Sequence, residues 1–340
     1  MDKYDLVYKF LKIRKKLQNY LKKNRYTNEL FVIIPAKKAR DKEMKPQFRE
    51  EIENILKQEK FPLFQLIEIE TINRCNGECE FCPINRHDDT RQYKKMDEEL
   101  FKSIIAQLKE LNYDGRTCLF SNNEPLMDKR MFDFVEYAYK ELPNSHFSFF
   151  TNGTLLNLER FERLIPYCDT FCIDIYHNNN YKDNIPENIM PIINLCLEKP
   201  ELQEKVKIQI INRKAIRNNR GGKSKNRKFL YKVQSPCLLP YKQVIIRPDG
   251  KLSLCCNDAT GCFTMGDLTK DKLIDIWNGK IYNDIRQKLR YKRDTIGMCE
   301  YCDNFGGTGT NASKDFVFTK AEFKESWEKV KKQINKNNEV

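Results

Sequence analysis

Arg74-Cys75-Asn76-Gly77-Glu78-Cys79-Glu80-Phe81-Cys82-Pro83 is the stretch around which the rest of the chain is organised. Its three cysteines stand at i, i+4 and i+7, with Gly77 between the first two to let the loop curl. A structural zinc site usually takes four ligands in paired C-x-x-C knuckles, and an iron–sulfur cluster is usually held by four thiolates. Three thiolates leave one corner of a cluster open. An open iron can chelate a small molecule, which a reactive cluster needs and a structural one does not. A one-sided zinc loop is the alternative.

Bulk properties frame this reading. A chain of 340 residues suits about two domains. With 40% hydrophobic and 32% charged residues it reads as a soluble enzyme with a large surface. No apolar run of ~20 residues marks a membrane span, and Met1-Asp2-Lys3-Tyr4 lacks the apolar core of a signal peptide. The expected compartment is cytoplasmic. There, thirteen cysteines point to metal ligation more than to disulfides. Seven fall at ligand-like spacings. Of the other six (Cys118, Cys168, Cys172, Cys196, Cys256 and Cys262), Cys118, Cys172 and Cys196 lie in apolar runs and read as small buried hydrophobes. The net charge of +13 suits either nucleic acid or an acidic electron-donor protein. The basic runs 37–42 and 213–228 carry few interleaved aromatics, which disfavours nucleic acid.

Residues 1–60 read as a helical extension. Leu6, Phe10, Ile13 and Leu17 fall at helical spacing, as do Ile52 and Leu56 in a second helix over 49–57, with a short apolar run at 29–34 between them. From residue 61 the pattern alternates. Strands are expected at 66–71, 116–120, 146–150, 169–175 and 205–211. Helices are expected at 97–111 (N-capped by Asp97), 128–142, 155–164 and 187–197. Five strands joined by helices imply a parallel sheet. Active sites of such sheets lie at the strands' C-terminal ends.

The spacing C-x3-C-x2-C, with Asn76 after the first cysteine, Phe81 before the third and Pro83 after it, resembles the signature of the radical S-adenosylmethionine (SAM) enzymes. The strand ends continue the resemblance. Ser121-Asn122-Asn123-Glu124-Pro125 stands where the family has a Gly-rich turn ending in Glu-Pro. Glu124 and Pro125 match, while Asn and Ser replace glycines, Asn tolerating left-handed backbone. Thr151-Asn152-Gly153 resembles the family's ribose loop, and Cys172-Ile173-Asp174 its Ser-Ile-Asp. Asn219-Arg220-Gly221-Gly222 is similar to an Asn-Arg-small-Gly turn of one branch. The resemblance implies a partial (β/α)6-type barrel in which Cys75, Cys79 and Cys82 hold a [4Fe–4S] cluster. Phe81, Asn123, Glu124, Asn152, Asp174 and Arg220 would then surround SAM, with Glu124 on its ammonium, Asn152 on its ribose and Arg220 on its carboxylate. Asp174 also reads as a substrate contact or a structural hydrogen-bonder. Tyr176 and His177 follow the fourth strand and could touch substrate, though a lone surface histidine is the plainer reading of His177.

A second set of cysteines follows. Cys237 opens a segment in which 243–247 and 251–254 alternate as strands around Pro248-Asp249-Gly250, a hairpin. Cys255-Cys256 ends it, helices are expected at 271–278 and 282–291, and Cys299-Glu300-Tyr301-Cys302 closes the set. Four ligands are available: Cys237, Cys255 (or Cys256), Cys299 and Cys302. The run resembles the SPASM/Twitch auxiliary-cluster domain, here with one auxiliary [4Fe–4S] cluster; a zinc ribbon is the alternative. Domains are expected at 1–60, 61–230, 231–312 (small, α+β) and 313–340, the last a terminal helix.

The family's chemistry would split SAM to a 5′-deoxyadenosyl radical that takes a hydrogen atom from unactivated carbon, with electrons from a reduced flavodoxin or ferredoxin-like donor. The short auxiliary segment resembles that of polyol-oxidising members, which implies a small polar substrate, sugar- or cyclitol-like, undergoing oxidation or epimerisation. Cys256, if free beside a ligating Cys255, is the candidate hydrogen donor for epimerisation, with Cys262 as competitor. A peptide-modifying maturase is the second reading, though residues 1–60 look too short and too helical for a peptide-recognition domain. A non-catalytic zinc or nucleic-acid-binding protein is the third.

Overall fold

The computed structural model describes residues 20, 24–84, 89, 91–177, 185–215, 217–224, 231–306 and 318–338. The helix expected at 6–17, part of the basic run 213–228 and the boundary at 312 lie outside these. Among the described residues no helix is long and apolar enough to cross a membrane.

The extension is built differently from its expectation. The run at 29–34 is a π-helical turn, Glu29–Ile33, that feeds one long helix, α1 (Ile34–Leu56). Pro35 at its first turn needs no amide partner, and Pro46 lies inside it. The 49–57 helix is therefore the second half of α1. Its buried Asp41 ties it to the segment before Cys237. Tyr231 Oη and the Gln234 amide donate to Asp41 Oδ2 at 2.8 and 2.7 Å, and the Ser235 amide to Oδ1 at 2.9 Å.

The repeat follows as β1 (Leu66–Ile69), α2 (Glu98–Glu110), β2 (Arg116–Cys118), α3 (Met131–Glu141), β3 (His146–Thr151), α4 (Leu158–Leu164), β4 (Thr170–His177), α5 (Met190–Glu198) and β5 (Val206–Asn212). Asp97 caps α2 as expected, its carboxylate accepting from the Glu99 and Leu100 amides at 2.9 and 3.2 Å. After β5 come β6 (Gln243–Ile246), β7 (Lys251–Ser253), β8 (Thr264–Asp267), α6 (Leu273–Asn278), α7 (Lys280–Leu289) and a terminal helix α8 (Lys320–Asn338).

One eight-stranded sheet holds the chain together, in the order β5-β4-β3-β2-β1-β6-β7-β8. The first six are mutually parallel, and β7 and β8 run antiparallel. The hairpin of the second cysteine segment thus continues the sheet, and β6 supplies its sixth parallel strand. The outward faces of the strands (Ile67, Ile69, Leu119, Phe147, Phe149, Phe171, Ile173) pack with the helices in the main core. The inward faces are different. Register aligns Leu66 with Arg116 and Gln243, Arg116 with His146, Cys172 with Lys207 and Asp174 with Gln209. The concave lumen is consequently polar.

At the β5 edge, α8 substitutes for a further strand. Ser326 Oγ accepts from the Ile208 amide at 2.9 Å and donates to its carbonyl at 2.7 Å, and Trp327 Nε1 donates to the Val206 carbonyl at 2.8 Å. An unpaired strand edge is otherwise a template for aggregation. Ser326→Ala should cost about 1–3 kcal/mol and speed amide exchange at Ile208, read by hydrogen-exchange mass spectrometry. Unchanged exchange would mean that the edge is closed without this helix.

Candidate active site

The Cys75 loop leaves the C-terminal end of β1 and is held by several neighbours. The Gly77 amide points at Cys75 Sγ, 3.3 Å away. Gly77 is absent from the left-handed region that six other described glycines occupy, so the loop's curl does not depend on glycine's conformational freedom. The Glu80 amide bonds the Arg213 carbonyl beyond β5 at 3.0 Å. Phe81 is buried with Cys79 and Ile211, its ring 6.0 Å from Tyr176 and 5.2 Å from the Arg217 guanidinium. Phe81 thereby fastens the cysteine loop across the lumen to the β4 and β5 ends.

Glu124 and Asn152 meet beside this loop. Thr151 Oγ1 donates to Glu124 Oε1 at 2.7 Å and the Asn152 amide to Oε2 at 2.8 Å, while the Leu126 amide reaches Oε1 at 3.2 Å. The buried carboxylate thus positions the Thr151-Asn152-Gly153 loop. Burial raises the Glu124 carboxyl to about 7, against the pull of those donors. Asn152 Nδ2 bonds Asn76 Oδ1 at 2.7 Å and lies 3.9 Å from Cys75 Sγ. The 121–123 turn keeps its shape without left-handed backbone: among the described non-glycine residues only Asn112 and Arg220 have positive φ. Asn123 Oδ1 instead accepts from the Ser121 amide at 3.0 Å. Asp174 sits in the lumen, taking Gln209 Nε2 at 3.0 Å and Tyr176 Oη at 3.3 Å; burial raises its carboxyl.

Arg220 meets this group at the 121–123 turn. At φ +50°, its Nη1 donates to the Cys256 carbonyl at 2.9 Å and to Asn122 Oδ1 at 3.2 Å. That is the auxiliary side of the lumen. The turn carrying it is clamped: the Asn219 amide donates to Asp303 Oδ1, and the Asp303 amide to Asn219 Oδ1 at 3.1 Å, while Lys37 of α1 pairs with Asp303 Oδ2 at 2.8 Å. The extension, the residue after Cys302 and the lumen arginine form one hydrogen-bonded unit.

Cys237, Cys255, Cys299 and Cys302 are all buried. Burial raises the Cys255 thiol well above its ordinary range, and charge on Cys256, Cys237, Cys302 or Cys299 pushes it the same way. Cys237, Cys255 and Cys299 belong to one buried cluster, and the Cys302 amide bonds the Cys299 carbonyl at 3.2 Å. The Cys256 amide bonds Gln243 Oε1 at 3.3 Å, and its carbonyl accepts from Arg220 Nη1 at 2.9 Å. Gly306, at φ +74°, closes over the set; a Cβ there would fall 2.6 Å from Cys237 Sγ. Cys262 is exposed.

Several lumen residues went unread in the sequence. Glu68 bonds Ser121 Oγ and takes Gln243 Nε2 at 3.1 Å. Glu70 accepts the Asn122 amide at 2.6 Å. Two acids alternating with isoleucines in Leu66-Ile67-Glu68-Ile69-Glu70 were signal enough, since an ionisable group in a buried strand is costly unless paired.

The family model of the radical SAM superfamily matches residues 69–199, and that of the SPASM iron-sulfur cluster-binding domain matches residues 237–303. The chain is a radical SAM enzyme with a SPASM domain. The S-adenosyl-L-methionine-dependent 2-deoxy-scyllo-inosamine dehydrogenase of Niallia circulans is 24% identical over 258 residues, 75% of this chain and 98% of that protein. Two solved structures share the fold. BtrN in complex with AdoMet and 2-DOIA superposes with a TM-score of 0.64 at 22% identity, over 75% of this chain and 98% of that one. BtrN in an open conformation gives 0.54 at 21%, over 77% and 100%. Radical SAM and SPASM domains imply SAM and [4Fe–4S] clusters. The donors present fit them: three thiols on one loop, and four buried thiols under a glycine that leaves them room.

Burial raises the Glu70 carboxyl from 4.5 to about 7, opposed by Arg91 and the Asn122 amide. The folded value lies above the unfolded one, so the folded protein holds this proton more tightly. Glu70's contribution to stability is then fullest below pH 4.5 and is lost as pH rises through 7. Glu70→Gln should flatten the fall in anaerobic melting temperature between about pH 5 and pH 8. An unchanged slope would mean that Glu70 ionises as readily in the fold as out of it.

Proposed function

We propose that this radical SAM enzyme oxidises a small hydroxylated substrate, sugar- or cyclitol-like, at a carbon held in the lumen between the two cysteine sets. One observation carries the reading: a polar concave face bounded by an open three-thiol loop on one side and a four-thiol set on the other. The dehydrogenase activity of the Niallia circulans protein, matched over nearly its whole length, supports it.

Cys75, Cys79 and Cys82 would hold the SAM-binding cluster, and Cys237, Cys255, Cys299 and Cys302 the auxiliary one. When bound, these groups supply a 5′-deoxyadenosyl radical that removes a hydrogen atom, and a one-electron acceptor for the carbon left behind. The protein's own part is positioning and proton transfer. Glu124 holds Asn152 toward the bound nucleoside, and Asn152 has both a donor and an acceptor for ribose hydroxyls. Asn123 keeps the turn before Glu124, Phe81 shields the cysteine loop, and Asp174 with Gln209 lines the far wall. Arg220, held by Asn122 and the Cys256 carbonyl, is a cation at the lumen for a SAM carboxylate or a substrate oxygen. Converting a secondary alcohol to a ketone releases one hydrogen atom, one electron and one proton. Glu68 and Glu70, both lumen-facing acids whose carboxyls burial raises, are placed to take that proton. The expected division at 60, 230 and 312 belongs to this reading, with one sheet running through its second and third parts. A reduced flavodoxin or ferredoxin-like donor suits the +13 charge.

Epimerisation is the second reading, favoured by the position of Cys256, bonded through its backbone to Gln243 and Arg220, where its S–H could return a hydrogen atom. Anaerobic reconstitution tests the cluster assignment. Cys75/Cys79/Cys82→Ala should reduce bound iron from about eight to about four per chain and abolish 5′-deoxyadenosine formation; retained cleavage of SAM would defeat it. Product analysis separates the two outcomes. Oxidation gives a product lighter by two hydrogens and survives Cys256→Ala, whereas solvent deuterium in a product of substrate composition, lost in Cys256→Ala, would establish epimerisation.

A further inference from the structure

A cavity of 480 Å³ lies between the 91–94 loop, the β6–β7 turn and the 260–264 segment. That is the size of a small-ligand pocket. Four cationic residues line it (Arg91, Lys94, Arg247 and Lys251) against one carboxylate, Asp249. The two arginines are largely withdrawn from solvent, with side-chain exposures of 14% and 11%. Acids account for part of this charge. Asp89 takes Arg91 through both oxygens at 2.8 and 3.1 Å, and Asp249 lies 3.5 Å from Arg247 Nε and 3.6 Å from Lys251 Nζ.

Arg247 is the telling residue. Its Nη1 and Nη2 are used on the Gly261 carbonyl and Thr264 Oγ1, each at 2.9 Å. Its buried Nε makes no hydrogen bond, its nearest acceptor being Asp249 Oδ1 at 3.5 Å, so the guanidinium is only loosely neutralised at the cavity wall. Gly261 allows the close approach: at φ +67°, an added Cβ would fall 2.1 Å from Arg247 Nη1.

The cavity adjoins the lumen through Glu70. One Glu70 oxygen accepts the Asn122 amide, and the other lies 3.9 Å from Arg91 Nη1. Tyr93 at the rim is 60% exposed, with the Arg74 guanidinium 5.9 Å from its ring centre. Guanidinium, ammonium and hydroxyl donors gathered on one cavity are the donor set that phosphate oxygens accept from.

We propose that this cavity binds a phosphate or diphosphate group carried by the substrate, so that the reacting carbon lies in the lumen and the anionic tail lies against Arg247, Lys94 and Lys251. This rests on the lumen as the site of a small hydroxylated substrate, and it narrows the class to phosphorylated or nucleotide-linked sugars and cyclitols. Tyr93 offers a face on which a nucleobase would stack.

The test is calorimetric titration of the anaerobically reconstituted protein with inorganic pyrophosphate and, separately, with uridine diphosphate. Both should bind saturably, more weakly at high salt. Affinity should fall by about tenfold or more in Lys94→Glu/Lys251→Glu and in Arg247→Gln. The lysine pair lies at the surface, so it keeps the test decisive where Arg247→Gln disturbs the hairpin. Uridine diphosphate bound about tenfold tighter than pyrophosphate assigns a nucleotide-linked substrate, and equal affinities assign a simple phosphate ester. No binding of either anion, or affinity unchanged in the lysine double variant, overturns the proposal. Cleavage of SAM by the same wild-type preparation reports separately on the radical chemistry, so the failure of one reading is distinguishable from the failure of the other.

Discussion

Strand β1 has parallel neighbours on both sides, and its side chains must alternate between two environments. Ile67 and Ile69 enter the helix-covered core, which requires them to be apolar. Leu66, Glu68 and Glu70 are thereby committed to the concave face. The polar groups nearest β1 are arranged about those two carboxylates: Ser121 and Gln243 on Glu68, Asn122 and Arg91 on Glu70. A slip of one residue in register would bury both acids among the helices and expose the isoleucines to the lumen. The site and the core are two faces of the same constraint.

That constraint also explains why the auxiliary segment is not an appended module. β6 pairs with β1 along its length, so the hairpin that delivers Cys255 is built on the strand that delivers the Cys75 loop. Trp277 of α6 reinforces the union from outside, its Nε1 donating to the Pro62 carbonyl at 2.9 Å and its ring packing on Phe64 at 5.3 Å. The extension adds a third tie. Asp41 receives the amides that lead to Cys237, and Lys37 neutralises the carboxylate that holds the Arg220 turn. Buried hydrogen bonds to a charged group contribute about 1.5–3 kcal/mol each, and leaving such a carboxylate unpaired would cost more. Helix α1 is in this sense part of the site, though none of its residues faces the lumen.

The cysteine loop, the strand–helix repeat, the capped α2 helix and the four-cysteine segment were legible in the sequence because each is local. Spacing, period and capping act over a few residues, and the chain displays them directly. Glu124 and Asn152 were found by their place after a strand and Asp174 by its place within one, and the fold brings all three to the lumen side. Which partner each would choose was another matter. Glu124 turned to Thr151 and Asn152, and Arg220 to Cys256 and Asn122, because those contacts join residues 27 to 98 positions apart and depend on how the sheet closes.

The sequence by itself determined the chemistry available: two thiol sets, a parallel sheet to carry them, and motifs at its strand ends. Only the tertiary structure decided which neighbours each lumen residue meets. Alternation in an extended strand sends neighbours to opposite sides, but which side of β1 becomes the lumen is set by its pairing with β2 and β6. The same holds for the cationic cavity. Arg91 and Arg247 are 156 residues apart in the chain, and only the meeting of the cysteine-loop exit with the β6–β7 turn makes them neighbours across Glu70. Local sequence specifies what a residue can do. Long-range pairing specifies what it does it to.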